Sequence, residues 1–406
     1  MEPASWPRSR KQSRSVAELG PVTCAGCALL CDDVLVETVD DAVRLEPRCR
    51  LGAEWFSERM LRPADAPAAT ISGHPVDVES ALRRAGEVLS GARRPLLQGF
   101  ENATVEDARA AVALADRLGA VIATREGAWP GAPAVPLRGV STATLGEIRD
   151  RSRLVVVWRE DPERTHPRLL ERLGFGGDTS ARTLVLVDED DTATGRHADS
   201  QLRWGHERDL EALTILHALH RGLTVQAGEL EPSLSALLKR LRAVPHVAFV
   251  YGVGLTAGMG GQRRALALHE LVRSLCQERH AVTLELPGAP GTRSADDVLA
   301  WQSGYGGNVD FAGGHPEPII AARPLDDVDV TLLVEPGPAG AAEIVLGSLP
   351  AGPGVEVWIR TAAAGVEASG TVHRLDGIPL ALQAPRPDAA PTAAALIARL
   401  LAAVEA

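Results

Sequence analysis

Four of the five cysteines in this chain lie close together with the spacing C-x2-C-x3-C-x17-C: Cys24, Cys27, Cys31 and Cys49. Four thiolates can hold one [4Fe–4S] cluster or one zinc ion, or they can pair as two disulfides. Structural zinc usually takes two well-separated cysteine pairs, whereas three crowded thiolates and one distant thiolate suit the corners of an iron–sulfur cubane better. The spacing therefore favours a [4Fe–4S] site, with zinc and an unoccupied loop as the alternatives.

Two further segments carry residues that could contact a ligand. Gly252 and Gly254 follow an apolar run in a G-x-G-x-x-A turn, which can place backbone amides against phosphates at a helix N-terminus. His166 and Arg168 follow another apolar run, at a strand end where α/β proteins place ligands, and could contact an anionic group. An ordinary tight turn and an ordinary polar loop are the respective alternatives.

Two other features have simpler expectations. The glycine-rich stretch over residues 301–311 predicts a loop that contacts a ligand or a subunit. Cys276 stands within a helical pattern of Leu and Val, which predicts a buried core thiol.

Composition limits the class of protein. The chain is 45% apolar and 23% charged, as expected of a globular protein, and its net charge of −11 argues against a nucleic-acid partner. Residues 1–20 are basic and serine-rich with no apolar segment behind them, which predicts a disordered tail and no signal peptide. No stretch approaches 18 apolar residues, so we expect no membrane partner and a cytoplasmic location, where disulfides are improbable.

The elements that must position these residues alternate between helical stretches and short apolar runs, which predicts an α/β fold. Two short strands over residues 34–37 and 42–45 predict a hairpin with an acidic turn at Asp40 and Asp41. Thr104 is expected to cap a helix over residues 104–118 that ends at Gly119. Further helices are predicted over residues 264–276 and 391–404. The predicted buried strands are 95–97, 121–123, 154–158, 184–187, 247–250, 282–284, 330–334 and 355–359.

A cysteine loop ahead of α/β layers resembles the molybdopterin oxidoreductase superfamily. The segments CAGCALLCDD over residues 24–33 and CRLGAEWF over residues 49–56 resemble the B subunit of formylmethanofuran dehydrogenase more closely. Residues 141–147, 158–168 and 301–311 agree with that family, so the resemblance covers about residues 22–340.

The resemblance implies a small N-terminal cysteine-bearing β unit followed by two Rossmann-like doubly wound α/β domains. With the connection that begins near Pro63, we expect the following division: a disordered tail over 1–20, a cysteine-rich unit of the [4Fe–4S] type over 21–62, an α/β domain with interleaved segments over 63–240, a second α/β domain over 241–383, and a C-terminal linker and helix over 384–406.

One position departs from the catalytic pattern of this family. The redox members bind tungsten or molybdenum through a cysteine or selenocysteine at the start of a helix, and the matching stretch over residues 99–107 has Val105 at that position. Valine has no lone pair to give a metal, and such a soft site needs a thiolate. The resemblance therefore implies that the metal site is lost and that the tungsten or molybdenum pterin is absent.

This loss agrees with a bacterial branch of the family, the formyltransferase/hydrolase complex. There a formyl group passes from formyl-tetrahydromethanopterin to a methanofuran-type carrier and is released as formate. The resemblance implies a B subunit that acts as a non-redox scaffold beside a zinc amidohydrolase-like A subunit, a C subunit and a formyltransferase D subunit. The alternatives are an active tungsten- or molybdenum-pterin formylmethanofuran (formate) dehydrogenase subunit and a stand-alone iron–sulfur or zinc-binding module.

Overall fold

The computed structural model describes residues 17–39, 42–61, 66–124, 139–176, 182–226, 228–319, 327–337 and 342–405. The predicted turn at Asp40 and Asp41 and the connection at Pro63 lie outside these residues.

Strands β1 to β19 occur in this order: Ala17–Val22, Val34–Val39, Ala42–Glu46, Ala69–Ile71, His74–Pro75, Pro95–Gly99, Val121–Ala123, Leu154–Trp158, Thr183–Val187, Ser200–Leu202, His246–Gly252, His280–Leu286, Asn308–Asp310, Glu317–Pro318, Val330–Val334, Ile344–Gly347, Val357–Arg360, Gly370–His373 and Pro379–Leu382. Each apolar run predicted as a strand overlaps one of these.

Helices α1 to α12 occur in this order: Arg50–Met60, Val78–Gly91, Val105–Leu118, Leu145–Arg151, Pro162–Thr165, Leu169–Arg172, Asp209–His220, Glu231–Ala243, Val253–Thr256, Gly261–Leu275, Pro290–Ser303 and Ala393–Glu405. Short 3-10 turns occur at Thr194–His197, His206–Arg208 and Gly228–Leu230. The helices predicted over 104–118, 264–276 and 391–404 are confirmed.

The N-terminal unit is an antiparallel sheet in the order β1-β2-β3 with α1 packed against it. The predicted hairpin is confirmed, since β2 and β3 pair in antiparallel register. The predicted disordered tail over residues 1–20 is wrong at its end, because β1 begins at Ala17 and Leu19 pairs with Val36. Residues 17–20 are part of β1, which pairs with β2 as an outer strand of this three-stranded sheet.

The five-stranded sheet has the order β10-β9-β8-β11-β12, and all its neighbouring strands are parallel. Helices α7, α8 and α10 cover one face through a core of Leu, Val and Trp side chains. Helices α4 and α6 cover the other face together with Ala28 and Leu29 of the cysteine loop. This sheet therefore has the doubly wound form that the resemblance implies.

The nine-stranded sheet has the order β14-β13-β7-β6-β15-β16-β17-β4-β5. Its central strands are parallel and its outer strands pair in antiparallel fashion. Helices α2, α3, α11 and α12 share one core on a single face, and within the described residues no helix enters the two small clusters on the opposite face. The sheet is therefore mixed and differs from a doubly wound sheet.

The two sheets divide the chain differently from the predicted boundary between residues 240 and 241. Strand β11 lies beyond that boundary but pairs with β8, which lies before it. Likewise, β15 pairs with β6 from much earlier in the chain. The five-stranded sheet is thus inserted into the nine-stranded one. The helix predicted as part of a C-terminal appendage, α12, packs against α2 and α3.

Helix α11 joins the two sheets, because it follows β12 of one and precedes β13 of the other. The amide of Gly291 in its first turn donates to the carbonyl of Glu101 (2.8 Å). A Cβ at Gly291 would lie 2.1 Å from the carbonyl oxygen of Phe100. This close approach requires glycine and seats α11 on the turn that leads into α3.

Candidate functional site

The cysteine loop runs from β1 to β2. The amide of Cys24 donates to the carbonyl of Cys31 (2.8 Å), which closes the loop, and the amide of Gly26 donates to the sulfur of Cys24 (3.4 Å). Cys49 reaches the loop because it is the N-cap residue of α1. The structure brings together the four cysteines that the spacing singled out, all with free thiols.

Two glycines allow the loop and α1 to approach each other closely. A Cβ at Gly26 would lie 2.8 Å from the Cα of Gly52, and a Cβ at Gly52 would lie 2.9 Å from the sulfur of Cys24. Both distances are shorter than packing permits. The residue pair Gly26 and Gly52 therefore sets how closely the fourth cysteine approaches the first three.

Burial and mutual repulsion disfavour thiolates in the cysteine loop. Burial raises the pKa of Cys27 to about 12 and raises the pKa of Cys24 as well. The negative charges of the neighbouring thiolates Cys31 and Cys49 raise both pKa values further. A metal centre would remove this penalty, because it binds the cysteines as thiolates and neutralises their charge.

Among the residues that the structure describes, no three Cys, His, Asp or Glu side chains converge tightly enough to hold one metal ion. The [4Fe–4S] site at Cys24, Cys27, Cys31 and Cys49 therefore stays a prediction from the sequence.

A clamp of charged residues holds the loop against α6. The guanidinium of Arg168 donates to both carboxylate oxygens of Asp33 (2.7 and 2.8 Å) and also to Glu171. Arg172 donates to Asp33 as well (2.6 Å), and the bond from Arg168 holds the pKa of Asp33 below its usual range. Arg168, predicted to contact an anionic group, thus binds a carboxylate of the chain itself.

The β18–β19 hairpin supports the loop from the other side. The amide of Leu375 donates to the carbonyl of Ala28 (3.0 Å). The hydroxyl of Thr23 donates to the carbonyl of Ala381 (3.0 Å), and the amide of Thr23 donates to the side chain of Gln383 (2.9 Å). Sequence reasoning missed this hairpin, although its two strands lie within the predicted second α/β domain.

The N-terminus of α3 is the second candidate site, because Val105 is its first residue. Val105 is half-buried and packs against the core of the nine-stranded sheet. The hydroxyl of Thr104 accepts from the amide of Asp107 (3.1 Å), and the carboxylate of Asp107 accepts from the amide of Thr104 (2.9 Å). The predicted cap is confirmed, and it closes the helix end with side chains of the helix itself.

Two more carboxylates bind backbone amides around this helix end. Glu101 accepts from the amide of Gly337 (3.1 Å), and Glu106 accepts from the amide of Thr371 (3.0 Å). The two amides belong to segments beside the helix, one after β15 and one in β18, and not to the first turn of α3. Their pairing with carboxylates of the chain was not indicated by any sequence pattern.

A fourth carboxyl, Glu335, is buried at the end of β15 with a positive φ of 48°. It accepts hydrogen bonds from the amide of Ser348 (3.4 Å) and the hydroxyl of Thr361. Burial and then the negative charge of Asp107 raise the pKa of Glu335 to about 7. This carboxyl is therefore only partly ionised near neutral pH.

Asn102 connects the cysteine unit to this helix end. Its side-chain oxygen accepts from the indole of Trp55 (3.4 Å) and the guanidinium of Arg59 (3.2 Å), both on α1. Its side-chain amide donates to the carbonyl of Pro336 (3.0 Å). The two candidate sites are thus linked by a short path of hydrogen bonds.

The five-stranded sheet has its switch point between β8 and β11, since the chain moves outward in opposite directions from these two strands. The structure brings the two predicted loops together here. The amide of Gly254 donates to the carboxylate of Glu160 (3.0 Å). A Cβ at Gly254 would lie 1.7 Å from the carbonyl oxygen of Arg159, and a Cβ at Gly252 would lie 2.4 Å from Glu160. The glycines predicted to contact a ligand here contact the neighbouring loop.

Arg159 fills the space beside these glycines. It has a positive φ of 54°, which a non-glycine residue rarely adopts, and it is buried. Its guanidinium donates to Asp209 (2.9 Å) and to the carbonyl of Trp204 (2.7 Å), and lies 3.5 Å from Glu189. This buried ion pair compensates the unfavourable backbone conformation.

His166 is buried at the end of α5. Its Nδ1 lies 3.0 Å from the hydroxyl of Thr165, and its Nε2 has no hydrogen-bond partner among the described residues. Burial lowers the pKa of His166 to about 4, so the imidazole is neutral at physiological pH. It therefore carries no positive charge for the anionic group that the sequence predicted.

The glycine-rich stretch over residues 301–311 and Cys276 both differ from the expectations from the sequence. Of the stretch predicted as a loop, residues 304–307 are one, but Trp301 belongs to the last turn of α11 and Asn308–Asp310 form β13. The exposed indole of Trp301 is tilted against the imidazole of His373, with 5.3 Å between ring centres. Cys276 is exposed, so the predicted core thiol is wrong. It is the C-cap residue of α10, which places it just beyond the buried face of the helix.

No family model matches the chain. It is 26% identical over 401 residues to the B subunit of tungsten-containing formylmethanofuran dehydrogenase 2 from Methanocaldococcus jannaschii, and 25% identical over 402 residues to the protein of that name from Methanococcus maripaludis. Each alignment covers 89% of this chain and 92% of the relative. The B subunit of the formyltransferase/hydrolase complex Fhc of Methylorubrum extorquens is 24% identical over 262 residues, 62% of this chain and 68% of that protein.

The chain is a homologue of these B subunits. Its fold agrees with that of a chain in the crystal structure of the formyltransferase/hydrolase complex from Methylorubrum extorquens with methylofuran, with a TM-score of 0.68 and 24% identity over 83% of this chain and 99% of the other. Acetylene hydratase from Pelobacter acetylenicus matches with a TM-score of 0.51 and 12% identity over 95% of this chain and 69% of the other. The B-subunit homologue therefore has the α/β fold of these chains, with a small N-terminal antiparallel sheet, but only one of its two larger sheets is doubly wound, where the resemblance implied two.

The described part of the B-subunit homologue contains no helix that is long and apolar enough to cross a membrane.

Proposed function

We propose that this B-subunit homologue is a structural subunit of a formyltransferase/hydrolase complex in tetrahydromethanopterin- and methanofuran-linked C1 metabolism, without redox catalysis of its own. The observation that carries the proposal is the N-terminus of α3, where Val105 stands at the expected ligand position and Glu101 and Glu106 bind the surrounding amides.

The chemistry at this helix end disfavours a metal-bound pterin. A tungsten or molybdenum centre needs a soft thiolate ligand, and valine offers no donor atom. The carboxylates of Glu101 and Glu106 near this helix end, and that of Glu160 at the β8/β11 switch point, accept from backbone amides and would repel an anionic phosphate placed beside them. We therefore propose that the pterin is absent.

We propose that Cys24, Cys27, Cys31 and Cys49 hold a [4Fe–4S] cluster. When bound, such a cluster supplies an electron-storing group. Without a neighbouring metal centre to exchange electrons with, the chain's cysteines would instead serve to fasten α1 to the loop through Cys49. The support for this proposal is the placement of four free thiols in one loop and at the N-cap of α1, with Gly26 and Gly52 allowing the loop and the helix to approach closely.

The partners follow from the relative in Methylorubrum extorquens, which is the B subunit of a complex. We propose that this chain assembles in the cytoplasm with a zinc amidohydrolase-like A subunit, a C subunit and a formyltransferase D subunit. In this scheme the partners transfer the formyl group and release formate, and the present chain provides a rigid wall for them.

A second candidate is a subunit of a tungsten-containing formylmethanofuran dehydrogenase. The favouring observation is the longer alignment and slightly higher identity to the two archaeal relatives than to the bacterial one. This candidate requires an unconventional metal ligand in place of Val105. A stand-alone iron–sulfur or zinc module would behave as a monomer that purifies without partners.

The deciding experiment is anaerobic purification of the tagged full chain from its native cell, with metal analysis and identification of co-purifying proteins. We expect about four iron atoms per chain, no stoichiometric tungsten or molybdenum, and three partner subunits. Cys24→Ser should lose the iron, while Cys276→Ser, which changes an exposed thiol outside the loop, should keep it. Stoichiometric tungsten or molybdenum would support the dehydrogenase, and a partner-free monomer would support the module.

A further inference from the structure

A polar groove lies between the C-terminal ends of α7 and α10, two helices that pack against each other on one face of the five-stranded sheet. Its volume is about 560 Å³, which is in the range of small-molecule sites in proteins. Its lining consists of two histidines, two arginines, two glutamates, one serine and one glutamine. All eight side chains are polar, so the groove suits a charged, hydrophilic ligand better than an apolar one.

Two neighbouring residues at the end of α7 bring unpaired polar groups to this groove. His220, the last residue of α7, is 6% exposed, and its Nδ1 has no hydrogen-bond partner within the described ranges. Arg221, the C-cap residue, is exposed, and its guanidinium forms no ion pair with any carboxylate that the structure describes. A buried polar atom without a partner in the chain is unfavourable unless water or a ligand pairs with it. The end of α7 therefore offers an imidazole and a guanidinium to a ligand.

The two glutamates of the groove have their charges compensated within the chain. Glu270 accepts from Arg273, one turn further along α10. Glu278, just beyond α10, accepts from Arg279 (3.1 Å). These two pairs leave the charge of Arg221 uncompensated, so the groove favours an anion.

The helix ends themselves would otherwise oppose an anion, because the last carbonyls of a helix carry partial negative charge. Arg242 on α8 donates to the carbonyls of Leu219 and His220 (3.2 Å each), which neutralises the end of α7. At the end of α10, the amides of residues 276–279 donate to the last carbonyls of that helix. Arg242 thus adds a second positive charge beside Arg221, in a chain whose net charge is −11.

We propose that this groove binds a small organic phosphate, namely a phosphate monoester whose remainder carries hydroxyl groups. Guanidinium and imidazole N–H groups are strong donors to phosphate oxygens, and Arg221, His217 and His220 supply them on α7. Ser274 and Gln277 lie on the α10 side, where they can bind the hydroxyl groups of the remainder.

This site is separate from the regions on which the proposed function rests. Glu278 of the groove lies two residues before β12, so the groove is at the edge of the five-stranded sheet where the parallel strands begin. The loops of the β8/β11 switch point lie at the opposite edge. The inference therefore holds or fails independently of the cysteines, of the pterin and of the partner subunits.

The test is isothermal titration calorimetry of the full chain, purified with whatever partners it has, in a buffer free of phosphate. The ligands are ribose 5-phosphate, inorganic phosphate and ribose. Arg221→Gln removes the uncompensated charge, and Arg221→Lys keeps the charge but loses the two-pronged geometry. The matched control is Arg263→Gln, which changes an exposed arginine in the first turn of α10, at the other end of that helix from the groove.

We expect ribose 5-phosphate to bind more tightly than inorganic phosphate, and ribose not to bind. Arg221→Gln should weaken the binding of ribose 5-phosphate about tenfold, because one charge-assisted hydrogen bond is lost. Arg221→Lys should lose less, and Arg263→Gln should match the unmodified chain. Arg221 is exposed, so circular dichroism should show the same fold for its variants.

A further variant, Gln277→Ala, tests the other side of the groove. It should weaken the binding of ribose 5-phosphate and leave that of inorganic phosphate unchanged. No heat of binding for ribose 5-phosphate up to about 10 mM would overturn the inference. Equal weakening by Arg221→Gln and Arg263→Gln would also overturn it, since the attraction would then be one of general charge. Equal affinity for inorganic phosphate and ribose 5-phosphate would overturn the assignment of an organic phosphate.

Discussion

The cysteine loop and the N-terminus of α3 are joined through Asn102, yet they differ in how well the chain stabilises the charged form of their acidic groups. In the loop, burial and mutual repulsion make the thiolate form of Cys24 and Cys27 unfavourable. At α3, the carboxylates of Glu101 and Glu106 already accept from backbone amides. A site whose thiols become charged only with difficulty would gain from a positive metal centre, whereas a site whose carboxylates are already paired within the chain is suited to rigidity.

At the β8/β11 switch point the charged groups are also paired within the chain, as at α3. We expect the largest effect of a substitution on stability there. Asp209 is fully buried and accepts from Arg159 and from the indoles of Trp158 and Trp204. Asp209→Ala should lower the free energy of unfolding by about 3–5 kcal/mol, because it leaves a buried arginine without its partner. Chemical denaturation measures this loss.

The matched control for that prediction is Asp191→Ala, since Asp191 is exposed and pairs with Arg203. We expect it to change the free energy of unfolding by less than about 1 kcal/mol. Equal effects of the two substitutions would show that the switch point is not held by its buried ion pair, and that it resembles the cysteine loop more than α3.

The next largest effect concerns Glu335 and depends on pH. Its pKa of about 7 in the folded chain exceeds the ordinary value of 4.5, so the folded state binds the proton more firmly than the unfolded state. The stability contributed by protonated Glu335 is complete below about pH 4.5 and is lost as the pH rises through 7. Relative to the unmodified chain, Glu335→Gln should therefore be about 3 kcal/mol more stable at pH 8 and nearly equal at pH 4.5.

Urea unfolding at several pH values between 4.5 and 8 measures the stability of Glu335→Gln. The control is Glu54→Gln, which changes an exposed carboxylate on α1. Its effect should not grow with pH in this range. If the difference in free energy of unfolding between Glu335→Gln and the unmodified chain stays constant from pH 5 to 8, Glu335 does not have the raised pKa that its burial next to α3 implies.

The smallest expected effect belongs to Val105→Cys. This change restores the thiol that the redox relatives are expected to have, but Glu101 and Glu106 still occupy the amides around it. We expect no tungsten or molybdenum in the purified variant and a stability change below about 1 kcal/mol, because the side chain is only half-buried. Metal loading by this single substitution would show that one missing ligand atom, and not the paired amides, separates the two sites.

Much of the fold could be predicted because the signals are local. The buried strand Leu154–Trp158 is a continuous apolar run, and the cap at Thr104 needs only Asp107 three residues later. The cysteine hairpin is likewise a short-range feature. Periodicity, caps and turns act over a few residues, and the sequence displays them directly.

The remainder depends on contacts between distant parts of the chain. The pairing of β15 with β6 and the bond from Gly254 to Glu160 join residues that no local pattern relates. The hairpin strands Gly370–His373 and Pro379–Leu382 are only four residues each; the first is mostly small or polar and the second begins at a proline, so neither gives a clear strand pattern. Exposure at Cys276 depends on where α10 ends, which is the least predictable property of a helix.

The support of the cysteine loop by the β18–β19 hairpin has a consequence for how the protein is made. Thr23 and Gln383 are 360 residues apart, yet they are hydrogen-bond partners. At ordinary rates of translation, Gln383 emerges from the ribosome roughly 20–70 s after the first cysteines. During that interval the cysteine loop of the nascent chain lacks its hydrogen bonds to the β18–β19 hairpin. If the loop holds a cluster, a cluster-assembly factor would therefore meet the fully supported loop only after nearly the whole polypeptide has been synthesised.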